Sequence, residues 1–181
     1  MPAKATVTIE AKLEASSKDS LAISYLVRNL RPAKIYVFNV LFHADVQGNR
    51  KLDPELAYVI PKSDYAVTVG KFLSPIPAGM KVESAEIPYL DPVEPTQALA
   101  GKLTLRLPLH PFQPYRPPND AQLHLAANKL LVQIGFLDSS RAAPKDALIE
   151  PAAGAGAGHF LCDYGLGLQY QELLTQEISV H

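Results

Sequence analysis

The chain has 181 residues, a length that suits one domain and lets folding bury roughly 70% of the unfolded surface without a disulfide or metal staple. Hydrophobic residues make up 48%, which excludes wholesale disorder, and 17 Lys and Arg against 18 Asp and Glu leave a net charge of −1, which argues against a dedicated nucleic-acid binder. The lone cysteine, Cys162, excludes an intramolecular disulfide; with no secretory signal at the N-terminus and no apolar run near the ~20 residues of a membrane helix, the expectation is a cytoplasmic protein that makes no membrane contact.

Residues 6–13 alternate, with Val7, Ile9, Ala11 and Leu13 on one face and Thr6, Thr8, Glu10 and Lys12 on the other, a period of two that predicts a half-buried strand. Ser16-Ser17-Lys18-Asp19 reads as a turn. Leu21, Ile23, Tyr25 and Val27 then form the apolar face of a second strand, and Pro32 breaks it. Residues 35–42 are apolar on both faces except for Asn39, which predicts a central strand covered on both sides. Asn39 then needs hydrogen-bond partners, because an unpaired buried amide costs about 1–3 kcal/mol. The stretch 21–42 is the centre of the fold, and Tyr25, Asn39 and the adjoining His43 are its only functional suspects.

Residues 45–54 form a polar loop around Gly48-Asn49, and 57–60 and 65–72 read as the next strands. Ten of the sixteen prolines lie between Pro75 and Pro118, a density that belongs to edges, corners and loops. Within it, 81–87 reads as an edge strand, and 101–109 as a strand with Leu103, Leu105, Leu107 and Leu109 on one face. Residues 119–129 suit either a short helix or extended chain. Residues 130–137 read as a core strand, 139–164 as a long surface excursion with one helical turn near 144–149, and 166–180 as one or two strands.

About eight or nine short strands with little helix predict an all-β, two-sheet sandwich, one domain over residues 1–181. An alternating first strand, a buried second, a near-continuous apolar third and later core strands together resemble an immunoglobulin-like sandwich in outline. The cysteine pair and buried Trp of antibody domains are absent, since the chain has one Cys and no Trp.

Five features are candidates for chemistry. Pro108, Pro111, Pro114 and Pro117 recur every third residue, the period of polyproline II, and Pro111-x-x-Pro114-x-Arg116 fits a docking ligand for an aromatic groove. Pro111, Phe112, Pro114, Tyr115 and Arg116 are therefore the partner-binding candidates, against a plainer reading in which Leu109, Phe112 and Tyr115 pack a stiff edge onto the core. Asp45, Gln47, Asn49 and Asp53 alternate oxygen donors as a calcium loop does, but Arg50 and Leu56 occupy the positions of its glycine and closing glutamate, so a hairpin loop explains them better. His159, Cys162 and Asp163 offer metal ligands or a Cys/His pair within five residues; a small buried thiol is the plainer reading. Glu83, Glu86, Asp91 and Glu94 read as a solvated acidic edge, and Arg28, Arg31 and Lys34 as a solvated turn.

No nucleophile elbow, zinc-protease motif or cofactor fingerprint is present. The favoured expectation is a non-enzymatic binding or interaction module that needs no cofactor. Its partner would be a protein, or a second copy joined through an edge strand, and its contact surfaces the proline-rich 75–118 region and the 139–164 segment. The alternatives are a cryptic hydrolase or metal-dependent enzyme built on His159, Cys162 and Asp163, and a structural subunit of a larger assembly.

Overall fold

A computed structural model describes residues 6–63, 66–115, 129–141, 149–154, 156 and 158–180. The alternating first segment is β1 (Val7–Ser16), which pairs antiparallel with β2 (Ser20–Asn29). Next come β3 (Ile35–Ala44), β4 (Arg50–Asp53), β5 (Tyr58–Ser63), β6 (Ala66–Lys71), β7 (Tyr89–Val93) and β8 (Ala98–Arg106). The chain closes with β9 (Lys129–Asp138), β10 (Ile149–Pro151), β11 (Phe160–Cys162), helix α1 (Tyr164–Tyr170) and β12 (Glu172–Ser179).

These strands form a β-sandwich. The smaller sheet has the order β1-β2-β8; the larger has nine strands in the order β10-β11-β7-β3-β9-β6-β5, with β12 also on β9 and β4 on β3. The main core lies between the sheets. Leu21, Ile23, Tyr25, Val27, Leu103 and Leu105 face Ile35, Val37, Val67, Val69, Leu130, Val132, Ile134 and Phe136, each buried. Burying such a side chain contributes about 1.5–3 kcal/mol. A second cluster, Phe38, Leu73, Leu90, Leu137 and Cys162, fills the opposite face of the large sheet, under α1 and the β10–β11 hairpin. Covered on both faces, β3 is the central strand its composition predicts.

β9 organises the large sheet. One of its edges takes β12 along its length. The other takes two strands in succession: β6 runs parallel against Leu130–Ile134, and β3 runs antiparallel against Phe136–Asp138. The sheet forks there, with the end of β6 and the middle of β3 diverging. Gly70 lets β6 reach β9 at this point, since a Cβ on it would lie 1.8 Å from the backbone oxygen of Gln133. On the side of β1 away from β2, Gln176 of β12 spans the two sheets. Its Oε1 accepts from the Ala11 N–H at 2.7 Å and its Nε2 donates to the Ala11 oxygen at 3.0 Å.

Several segments depart from the sequence expectation. The strand expected over 81–87 is irregular chain, and the strand of this region is β7; Pro75, Pro77 and Pro88 around the segment withhold ladder donors. The excursion over 139–164 is not loose where described, because β10 pairs with β11, and β11 with β7, extending the large sheet. The segment expected to be wholly strand over 166–180 starts as α1, capped by the Asp163 carboxylate accepting from the Leu166 N–H at 2.9 Å. Gly165 and Gly167 are poor helix formers, but a Cβ on Gly167 would stand 2.7 Å from the Cys162 sulfur, so close packing decides the local structure. The twelve strands among the described residues exceed the expected number because β4, β10 and β11, at three or four residues, are too short to show a period. The ambiguous segment at 119–128 and most of the helical turn near 144–149 lie outside the described residues.

Replacing Gly70 with Ala is expected to destabilise the protein by about 3 kcal/mol or more, because backbone cannot yield as a side chain can. Thr96 sits at φ 66 in the Glu94–Gln97 turn, where the Gln97 N–H donates to the Glu94 oxygen at 3.1 Å. A β-branched residue is strained there, so Thr96→Gly is expected to stabilise by up to ~1 kcal/mol. Urea denaturation of both variants measures each sign.

Candidate functional site

Alternation places Asn39 after Ile35 and Val37, and Lys71 after Val67 and Val69, on the faces that meet the small sheet. Two polar residues thus enter the core at the fork. Lys71 is fully buried. Its Nζ donates to the backbone oxygens of Pro54 at 2.5 Å and Asn39 at 2.8 Å and to Tyr25 Oη at 3.1 Å, with the Lys102 oxygen at 3.4 Å. An ammonium has three donors, and the three short contacts take all of them. The Asn39 oxygen is free for this role because β3 bulges between Phe38 and Val40 where it pairs with β7.

The network continues outward. Tyr25 Oη donates to Asn39 Oδ1 at 2.5 Å, Asn39 Nδ2 donates to Asp91 Oδ2 at 2.6 Å, and His159 Nδ1 lies 2.5 Å from Asp91 Oδ1. The partners that Asn39 requires are thus Tyr25, Asp91 and Lys71. Gly101 makes room for the tyrosine; a Cβ there would lie 2.1 Å from the Tyr25 ring. Burial pushes the Lys71 amine down to about 7, against partial support for its charge from Asp53, Asp91 and Glu55. Burial, reinforced by Asp91, pushes the Tyr25 phenol well above its ordinary range.

Pro54 connects this network to the surface. It belongs to the 53–57 segment, which forms one wall of an open cleft of about 680 Å³. Leu56, Ala57, Val59, Leu105 and Leu109 supply apolar surface to the cleft, while His43, Asp53, Glu55, Arg106, His110 and Phe112 add polar and aromatic groups. Phe112 is 39% exposed, yet its backbone is fixed by reciprocal bonds with Val59 at 2.7 and 2.9 Å. Its ring lies 6.0 Å from that of Tyr58 and 6.4 Å from that of His43. His43 Nε2 is 3.3 Å from Asp53, whose other carboxylate oxygen caps the Glu55 and Leu56 N–H groups.

The sequence candidates disperse. His159 turns to Asp91, Asp163 caps α1, and Cys162 is buried against Gly167, so the structure does not bring those three together. Among the described residues no group of three His, Cys, Asp or Glu side chains is arranged to hold a metal. Burial, with Asp163 nearby, pushes the Cys162 thiol up to about 12. In the proline-rich stretch Leu109 and Pro114 are buried, and the Tyr115 hydroxyl accepts from the Glu86 N–H at 2.6 Å. Tyr115 has φ 64, which interrupts the polyproline twist; Arg116 lies outside the described residues. Asp45 accepts from the Gln47 and Asn49 N–H groups and the Asn49 amide, the hairpin arrangement.

Asp91 is no solvated edge acid: it sits at 16% side-chain exposure inside the network. Nor do Arg28, Arg31 and Lys34 share one solvated turn. Arg31 bridges Asp138 and Glu172 at 2.7 Å, while Arg28 pairs with Glu10 and Lys34 with Glu94. Lys71 itself gave one sequence signal, a lysine where the Val67, Val69 alternation requires an apolar residue.

No protein-family model matches this chain, and comparison with curated proteins and with solved structures likewise gives no match.

Lys71→Met orphans two buried carbonyls, so a loss of about 2–4 kcal/mol is expected at neutral pH. The unmodified protein carries a pH signature. An unfolded Lys71 holds its proton to its ordinary value of 10.5, and the folded amine releases it near 7. Between those values the unfolded chain binds more protons, so stability rises with pH, by on the order of 1 kcal/mol per unit. Denaturant titrations between about pH 7 and about pH 9 read this slope before Cys162 and Tyr25 add terms of opposite sign, and Lys71→Met is expected to flatten it. Cys162 is expected to resist alkylation at neutral pH in the folded protein and to react once unfolded.

Proposed function

We propose that this protein is a non-enzymatic binding module whose cleft receives a segment of a partner protein, with Phe112 as the anchor. The observation that carries this reading is the cleft itself: about 680 Å³, lined by apolar side chains together with polar and aromatic groups. Ligand sites have this combination of concavity, apolar lining and a few oriented polar groups. Phe112 supports it further, as a large aromatic side chain held exposed on a fixed backbone, the profile of an interface anchor. The reading retains Phe112 from the proline-rich candidates and moves the contact from a polyproline edge to the cleft beside it. An immunoglobulin-like outline and a cytoplasmic setting belong to the same proposal, the first supported by the packing of two mostly antiparallel sheets. Among the described residues no helix is long and apolar enough to cross a membrane.

A photo-crosslinking residue placed at 112 is expected to give a discrete protein adduct in native extract. The same residue at Val46, fully exposed and away from the cleft, is expected to give none. Phe112→Ala is expected to weaken binding of the captured partner at least about tenfold while changing stability by less than about 1 kcal/mol. Equal labelling from both positions, or unchanged affinity in Phe112→Ala, would rule the cleft out as the contact.

A further inference from the structure

The charged groups that line the cleft divide by sign: its carboxylates are engaged within the protein, and its guanidinium is not. Asp53 Oδ1 accepts the Glu55 N–H at 2.9 Å and the Leu56 N–H at 3.1 Å, and Oδ2 faces His43 Nε2 at 3.3 Å. The Glu55 carboxylate accepts from the Thr104 hydroxyl and lies 3.4 Å from Lys102 Nζ, contacts that hold it below the usual carboxylate range. Both acids therefore have little left to offer a ligand.

Arg106 is the last residue of β8 and lines the cleft. Alternation puts it on the exposed face with Lys102 and Thr104, opposite the buried Leu103 and Leu105. Four other arginines are described, and each has a partner. Arg28 pairs with Glu10, Arg31 with Asp138 and Glu172, and Arg141 with Glu172, while Arg50 lies over the Phe42 ring at 4.4 Å. Arg106 alone has no hydrogen bond, ion pair or ring contact among the described residues, and His110, which also lines the cleft, has none there either. A free arginine on an open surface is simply solvated. This one shares a cleft with the exposed ring of Phe112 and the half-buried Leu56, so a ligand lying on that apolar surface comes within its reach.

A guanidinium presents a planar fork of donors that matches a carboxylate through two parallel bonds. Asp53 and Glu55 stand in the same cleft, so a doubly charged phosphate meets more repulsion there than a single carboxylate does. A basic side chain would meet Arg106 itself and two acids that already have partners. We propose that the segment received by the cleft is acidic and apolar: an Asp or Glu side chain of the partner pairs with Arg106, and an apolar side chain of the same segment covers Phe112. This deepens the reading of the cleft as a protein-binding site and rests on it. Phe112 supplies the apolar anchor, and Arg106 sets specificity.

The probe is a displayed library of random peptides panned on the full chain, with selected peptides resynthesised and located by the NMR shifts of the Leu56, Thr104 and Phe112 amides. Peptides that move those amides are expected to share an Asp or Glu and an apolar residue. Asn or Gln in place of that acid is expected to weaken binding about five- to tenfold. Arg106→Gln is expected to cost the same for the acidic peptide and nothing further for the neutral one, the mark of a direct pair. Arg106→Glu is expected to select peptides with Lys or Arg where the acid stood. Arg106 is exposed, so both variants are expected to keep the fold, which unchanged β1–β2 amide shifts verify. The acidic reading is overturned, and the cleft left standing as the contact, by cleft-binding peptides that carry no acid. Tighter binding with phosphoserine in place of the acid, or an acid whose removal costs as much in Arg106→Gln as in the unmodified chain, does the same. A library that yields no peptide shifting these amides overturns both readings.

Discussion

The buried ammonium of Lys71 is the contact on which the inter-sheet geometry depends. It joins β6, β3, β2 and the 53–57 segment through three short hydrogen bonds, with β8 within weaker reach. Apolar packing between sheets is strong but carries little directional information. A cation with three donors is directional, and here its acceptors lie on both sheets. The sandwich is thus held in one relative placement at the point where the large sheet forks.

The fork explains why polar groups are tolerated in the core. Where β6 gives way to β3 along the edge of β9, the regular ladder is interrupted, and the bulge at Asn39 leaves a carbonyl without a strand partner. Lys71 satisfies that carbonyl, and the Asn39 side chain links Tyr25 to Asp91. Among the described residues no buried side-chain polar atom lacks a partner, so the network is complete. A complete network gives specificity, whereas an incomplete one would carry the full desolvation penalty. Two glutamines repeat the device nearer the surface: Gln176 pairs with both backbone groups of Ala11, and Gln171 with both of Leu73. Each side-chain amide takes the place of a missing strand neighbour.

The cleft is a consequence of the same construction. The 53–57 segment bridges the edge of β8 to the large sheet, leaving open space between itself, the end of β8 and the residues around Phe112. Its wall therefore stands directly on the buried amine.

The sequence by itself determined the β class, the strand faces and the central place of β3, because those follow from a period of two and from residues that are apolar on both faces. It also indicated that Asn39 would need hydrogen-bond partners, since an amide in such a strand loses much of its water. What only the tertiary structure decided is which groups answer that need. Tyr25, Lys71, Asp91 and His159 are far apart in the chain, and no spacing rule brings them together. For the same reason the local cluster of His159, Cys162 and Asp163 was legible but misleading. Neighbours along extended chain point in different directions, and each of these side chains found its partner elsewhere: a carboxylate on β7, a packed glycine and a helix N-terminus.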